Sequence, residues 1–197
     1  MAVAFSSSGL QMASGGGGGS IFLWDTSVGF VSGLVEGVEP PSPPRRSAPD
    51  SPGRGEWYPQ PEKNPSGALK SRLHEGGFGD VLYTMEFSPT DENQLVSTFN
   101  YGEVALWDVG KRKKIWSIRE GGVFARFSPD GRTIATAMNS AEVHLIDAES
   151  GEMRLKMVHG ESLSSAAFSG RDGSTIASGG TDGSCKVGPR QKPAVGS

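Results

Sequence analysis

The feature that most constrains this chain is a unit that recurs about every 40 residues. The stretch from Val81 to Asp108 reads VLYTMEFSPTDENQLVSTFNYGEVALWD, three short apolar runs separated by turn chemistry and closed by Trp107-Asp108. From Val123 to Asp147, VFARFSPDGRTIATAMNSAEVHLID repeats the order: an aromatic before Ser-Pro, a small-residue run, a tight turn, and an apolar run ending in Asp. A further copy begins at Ala166, and another opens the chain from Val3 to Asp25. Phe87 to Phe127 is 40 residues and Phe127 to Phe168 is 41. Phe5 to Phe87 is 82, so one extra period's worth of chain separates the first two copies.

That period lies outside the roughly 33 to 34 residues of helical repeat arrays and matches the four-strand blade of a β-propeller. Within each copy the apolar runs have strand length and are bounded by Ser-Pro, Asp-Gly or Asn-containing turns. In the first copy strands are predicted from Ala2 to Phe5, Leu10 to Ser14 and Ile21 to Trp24, with a weak fourth from Phe30 to Val35. The second has Val81 to Phe87, Leu95 to Phe99, Glu103 to Trp107 and Lys114 to Ile118. The third has Val123 to Phe127, Thr133 to Met138, Glu142 to Ile146 and Glu152 to Val158. The last offers Leu163 to Phe168, Ser174 to Ser178 and Ser184 to Val187, after which Gly188, Pro189 and a polar tail replace the outer strand. The expected fold is all-β: a partial propeller of about four antiparallel four-stranded blades, the last incomplete. The expected units are a partial first blade (1–38), an insertion (39–72), a second blade (73–120), a third (121–160), an incomplete fourth (161–188) and a disordered tail (189–197).

The insertion is marked by composition. Nine of the thirteen prolines fall between Glu39 and Gly67. Such a segment has too few apolar side chains and too few free amides to join a sheet, so a disordered or polyproline II stretch is expected. Pro40, Pro43 and Arg45 stand at the P-x-x-P-x-R spacing read by polyproline grooves, which take two prolines on one helix face and a cation in an acidic pocket. Against this, short proline motifs arise readily in any such linker, and a plain spacer is the bland alternative. Ser42-Pro43 and Ser51-Pro52 are candidate sites for proline-directed phosphorylation, with Arg45 and Arg46 near enough to pair with an added phosphate. Trp57 and Tyr58, the only aromatics of the segment, are candidate anchors on a neighbouring surface.

By this point the residues resemble those of the WD-repeat β-propeller family. Trp24-Asp25 and Trp107-Asp108 match the pair that names it, Ile146-Asp147 is a degenerate version, and Phe-Ser-Pro at Phe87 and Phe127 is the family's usual inner-strand ending. The resemblance covers residues 1–35 and 73–188. It implies a buried hydrogen-bond network in each blade, running from a turn His through a strand Ser or Thr and a turn Asp to the Trp indole. Such a network satisfies an N–H that burial would otherwise strand. Carried over residue by residue, it falls on His74, Ser97 and Trp107 in the second blade, where Tyr101 replaces the Asp. In the fourth it falls on His159, Ser178 and Asp182, where Gly188 replaces the Trp. The third has Thr136, with Ser140 and Ile146 at the Asp and Trp positions. Incomplete networks imply softer blades than the family's best.

Several chemistries are disfavoured by the same reading. Nineteen basic against 22 acidic residues give a net charge of −3, so no nucleic-acid surface is expected, and the cluster Lys111, Arg112, Lys113, Lys114 reads as a solvated hairpin. The run Gly15 to Gly19 lacks the Lys-Ser/Thr and helix of a phosphate loop. His74, His144 and His159 are scattered, Cys185 is alone, and no G-x-S-x-G elbow occurs; no cofactor, metal site or catalytic residue is expected. No secretory leader or apolar span of 18 residues is present, which points to a soluble intracellular protein without membrane insertion.

The resemblance implies a non-catalytic scaffold that binds other proteins through inter-blade loops and rim. The alternatives are a fragment whose binding is carried by the proline-rich insertion and, from a different class, a propeller-based enzyme. Open propellers expose unpaired strand edges, so self-association, completion of the propeller by another chain, or membership in a longer WD-repeat protein is also expected.

Overall fold

The computed structural model describes residues 1–27, 69–74, 79–119, 122–137, 141–159, 162–170 and 172–190. These form fifteen strands in four antiparallel sheets. The first sheet is β1 (Ala2–Phe5), β2 (Gln11–Gly15), β3 (Ile21–Asp25) and β4 (Leu69–His74), paired in that order. The second is β5 (Leu82–Phe87), β6 (Gln94–Phe99), β7 (Val104–Asp108) and β8 (Lys113–Ile118). The third is β9 (Phe124–Phe127), β10 (Thr133–Ala137), β11 (Glu142–Asp147) and β12 (Met153–Val158). The fourth has three strands, β13 (Leu163–Phe168), β14 (Thr175–Gly180) and β15 (Cys185–Pro189).

The sheets stack face on face in chain order, with β1 beside β5, β5 beside β9, and β9 and β10 beside β13. Three apolar layers result. Ala13, Ile21 and Leu23 of the first sheet meet Leu82, Phe87, Leu95 and Trp107 of the second. Val96, Val104 and Leu106 of the second meet Phe127, Ile134 and Ile146 of the third. Ala135, Val143 and Leu145 of the third meet Leu163, Ala166 and Ile176 of the fourth. A middle sheet therefore buries both faces, which is why β6, β7, β10 and β11 carry apolar residues on both faces and are buried along nearly their whole length. The outer strand β12 alternates between half-buried and exposed residues, as an edge strand should.

Inner strands leave one row of backbone amides without a strand partner. Side chains of the preceding sheet supply partners instead: Phe127 donates its amide to the Glu86 carboxylate at 2.8 Å, and Ala125 donates to Thr84 Oγ1 at 3.3 Å. Burial pushes the Glu86 carboxyl above the usual range, against the opposing pull of the Phe127 amide and Arg126.

Two features differ from the sequence expectation. The weak fourth strand placed at Phe30 to Val35 lies outside the described residues, and the strand that pairs with β3 is β4, Leu69–His74. The insertion therefore interrupts the β3–β4 hairpin of the first sheet, not the connection between two blades, and it ends before residue 69. β3 has an open edge that only a strand can satisfy, and pairing energy collected across a long loop exceeds a closure cost that grows only logarithmically with length. The second difference is at the tail: Pro189 ends β15, and Arg190 is only 7% exposed at its side chain. Proline is tolerated there because, among the described residues, β15 has no further strand to donate to.

Candidate interaction surface

The Trp residues of the repeat are held alike in two sheets. Trp107 Nε1 donates to Ser97 Oγ at 2.8 Å, and Trp24 Nε1 donates to Ser14 Oγ at 2.7 Å. Each serine sits ten residues before its Trp, a spacing that marks Ser14 in the sequence although only Ser97 was singled out. His74, at the end of β4, reaches into the second sheet, with its ring centroid 5.0 Å from that of Trp107 and 5.5 Å from that of Phe99. In the fourth sheet buried His159 donates from Nε2 to the Ser178 carbonyl at 3.3 Å, not to the hydroxyl, and its Nδ1 has no partner. Asp182 stays within its own turn, accepting the Ser184 amide at 2.9 Å and hydroxyl at 2.7 Å. In the third sheet Thr136 donates to the Phe124 carbonyl, while Ser140 lies outside the described residues. Tyr101 points outward at the turn where the resemblance implies an Asp.

The Asp of each Trp-Asp or Ile-Asp pair does a different task. Asp25, Asp108 and Asp147 close the turns that follow their strands, accepting the amides of Ser27 at 2.9 Å, Lys111 at 2.7 Å and Ser150 at 2.9 Å respectively. The Lys111 amide, with the Lys111 ammonium 3.1 Å away, holds the Asp108 carboxyl below the usual range.

These turns lie at one end of the sheets, together with the turns that join the first two strands of each. A backbone hydrogen bond ties the two turns in every sheet: Thr26 to Leu10 (3.0 Å), Val109 to Asn93 (2.7 Å), Ala148 to Arg132 (3.0 Å) and Arg190 to Ser174 (2.8 Å). The serines after the inner-strand aromatics, Ser6, Ser88 and Ser128, are buried and accept turn amides through their hydroxyls. Neighbouring sheets are linked along the same rim. Glu92 accepts the Ser8 amide at 2.8 Å, and Arg190 forms a bidentate pair with Asp130 at 3.1 and 2.8 Å. Hydrogen bonds thus brace the rim within each sheet and between the first and second and the third and fourth sheets, and β3 runs out onto it through Thr26 and Ser27. The solvated ammonium of Lys111 stands on this rim, as does Arg112, whose φ of 55° is the left-handed backbone of a tight hairpin. Pro40, Pro43, Arg45, Trp57 and Tyr58 lie outside the described residues.

Burial pushes the Asp130 carboxyl up, but Arg190, the Ser128 hydroxyl and the Arg132 amide outweigh it and hold the group at about 2, below its ordinary 3.8. A depressed carboxylate stabilises the fold above its unfolded-state value and loses that contribution as pH falls through its folded value. The bond between the third and fourth sheets is therefore intact above about pH 4 and lost towards pH 2. Asp130→Asn is expected to cost about 1 kcal/mol at neutral pH, the exposed side of the pair discounting the full value of a charged hydrogen bond. It should also flatten the acid limb of the denaturation curve between those pH values; an unchanged limb would show that the pair carries no stability.

No group of three or more His, Cys, Asp or Glu among the described residues has the arrangement of a metal site. No helix among them is long and apolar enough to cross a membrane. Residues 1–25, the first three strands of the first sheet, match the family model for the WD domain, G-beta repeat. No curated protein matches the chain.

Proposed function

We propose that this WD-repeat chain is a protein-interaction scaffold without catalytic machinery, binding its partners through the braced rim and the insertion that leaves it. The observation that carries the reading is the placement of the insertion in the β3–β4 hairpin. The β3–β4 hairpin closes at the same end of the sheets as Lys111, Arg112 and the other rim turns, and the proline-rich residues 39–67 lie between those two strands in the chain. A braced surface on a chain that also carries a proline-rich segment favours capture of a partner at two points, each raising the effective concentration of the other. The reading includes completion of the propeller by a further chain, because among the described residues no sheet covers the outermost faces of the stack.

Affinity capture tests it with three proteins: the intact chain, the chain lacking residues 39–67, and Lys111→Glu/Arg112→Glu. Partners weakened by both changes are the expected result. Partners lost on deletion but untouched by charge reversal would move recognition to Pro40, Pro43, Arg45 and the aromatics Trp57 and Tyr58. No partner in any arm, with turnover on a hydrolase panel, would overturn the scaffold reading.

A further inference from the structure

The three interfaces between sheets share one plan. Each sheet turns one face, the leading face, towards the sheet before it, and its opposite, trailing face towards the sheet after it. In the second sheet the leading face carries Met85, Phe87, Leu95 and Trp107, all buried against the first. Strand register places Val3, Phe5, Met12 and Trp24 at the same positions of the first sheet, but among the described residues no sheet lies against that face. Phe5 is 56% exposed and Val3 54%, whereas Phe87 and Phe127, at the position of Phe5, are 5% and 6% exposed.

The trailing face of the fourth sheet is the second uncovered face. Register puts Ala167, Ala177 and Val187 in one row across it and Ser165, Gly179 and Cys185 in the next. The matching rows of the first sheet are Ala4, Ala13 and Leu23, then Ala2, Gly15 and Ile21. In sequence the likeness is direct, since Ala177-Ser178-Gly179 repeats Ala13-Ser14-Gly15. The trailing face of the first sheet already has its partner in the fold: small residues on β1 and β2 receive the bulky leading face of the second sheet. The two uncovered faces thus follow, in the same rows, the bulky-against-small pattern of an interface that this chain already makes, with Val187 in place of Leu23 and Cys185 in place of Ile21.

We propose that the exposed leading face of the first sheet docks on the small-residue trailing face of the fourth sheet of a second copy of this chain, head to tail. A contact of this kind uses two different surfaces of one molecule, so two copies can engage both at once and close a ring. Two sets of four sheets make eight, the upper end of the range that propellers use. The proposal rests on the propeller-completion part of the reading above and names the occupant from the chemistry of the faces.

The glycines supply the test. A Cβ on Gly15, inside the existing interface, would come within 2.6 Å of Leu82 Cδ2 and 3.3 Å of Met85 Cε. One on Gly179 would meet only Ser164 Oγ, at an ordinary 3.9 Å. Gly179→Leu should therefore leave the single chain folded and block the docking face, and Phe5→Glu should block the opposite one by burying a charge. Sedimentation velocity on the intact 197-residue chain is expected to give twice the monomer mass, and each variant alone the monomer, with circular dichroism unchanged. Mixing the variants leaves one intact pair of faces and should restore a two-copy species. A wild-type monomer at every concentration tested, or a Gly179→Leu protein that keeps the double mass, would overturn the proposal. Gly179→Leu decides the matter even if Phe5→Glu fails to fold, and the outcome is independent of whether any other protein is captured.

Discussion

Trp107→Ala is expected to destabilise the protein by about 3 to 5 kcal/mol, the range for emptying a large aromatic site in a packed core. Trp107 is 3% exposed and sits in the layer between the first two sheets with Leu95, Phe87 and Leu73. Its indole N–H has one partner, Ser97 Oγ, and His74 covers the ring from the end of β4. The loss is therefore felt in both sheets. Trp107→Phe separates the contributions: most of the ring remains, but the buried Ser97 hydroxyl loses its acceptor role and part of the volume empties, for about 1 to 2 kcal/mol. Urea denaturation followed by circular dichroism measures both. An alanine variant that loses less than the phenylalanine range would mean that the layer collapses around the gap, and that Trp107 does not hold these sheets together.

Gly15→Ala is expected to cost about 1 to 3 kcal/mol, through overpacking and not through conformational freedom. The added methyl would lie 2.6 Å from the Ser20 carbonyl oxygen as well as from Leu82 Cδ2. Leu82 is itself fixed, since its amide donates to the Gly16 carbonyl at 3.1 Å and its side chain is 1% exposed. Leu82 cannot retreat without parting the first two sheets, and the Ser20 carbonyl cannot move without opening the β2–β3 hairpin. A lowered melting temperature for Gly15→Ala beside an unchanged one for Gly179→Ala is the expected pair of results. Equal melting temperatures for wild type and Gly15→Ala would show that the two sheets have slack at this point.

The repeat was legible because its signals are local. Aromatic-Ser-Pro ends, Asp-Gly turns and strand-length apolar runs act within a few residues, so strands such as β5, β7 and β13 were placed within a residue or two of where they form. The Trp107–Ser97 bond rested in the sequence on the resemblance alone; in the fold it forms because a buried indole needs an acceptor and the β6–β7 hairpin sets the Ser97 hydroxyl beside it. The roles of Ser6, Ser88 and Ser128 were not separated from the proline beside two of them. They depend on the hydroxyl facing inward beneath a turn, and only the folded turn decides that.

The period, the all-β class, the number of repeated units and the residues that turn the chain are written in the order of residues, each set by short-range sterics and hydrogen bonding. Tertiary structure alone decided that Leu69–His74 completes the first sheet across the insertion, because an open strand edge recruits whatever strand can reach it. It alone decided that Arg190 is buried on Asp130, because that pairing joins residues sixty positions apart. And it alone showed that Phe5 and Phe87, alike in sequence, differ in environment: one face is covered by a neighbouring sheet and the other is bare, a distinction that depends on what stands next to a residue in space.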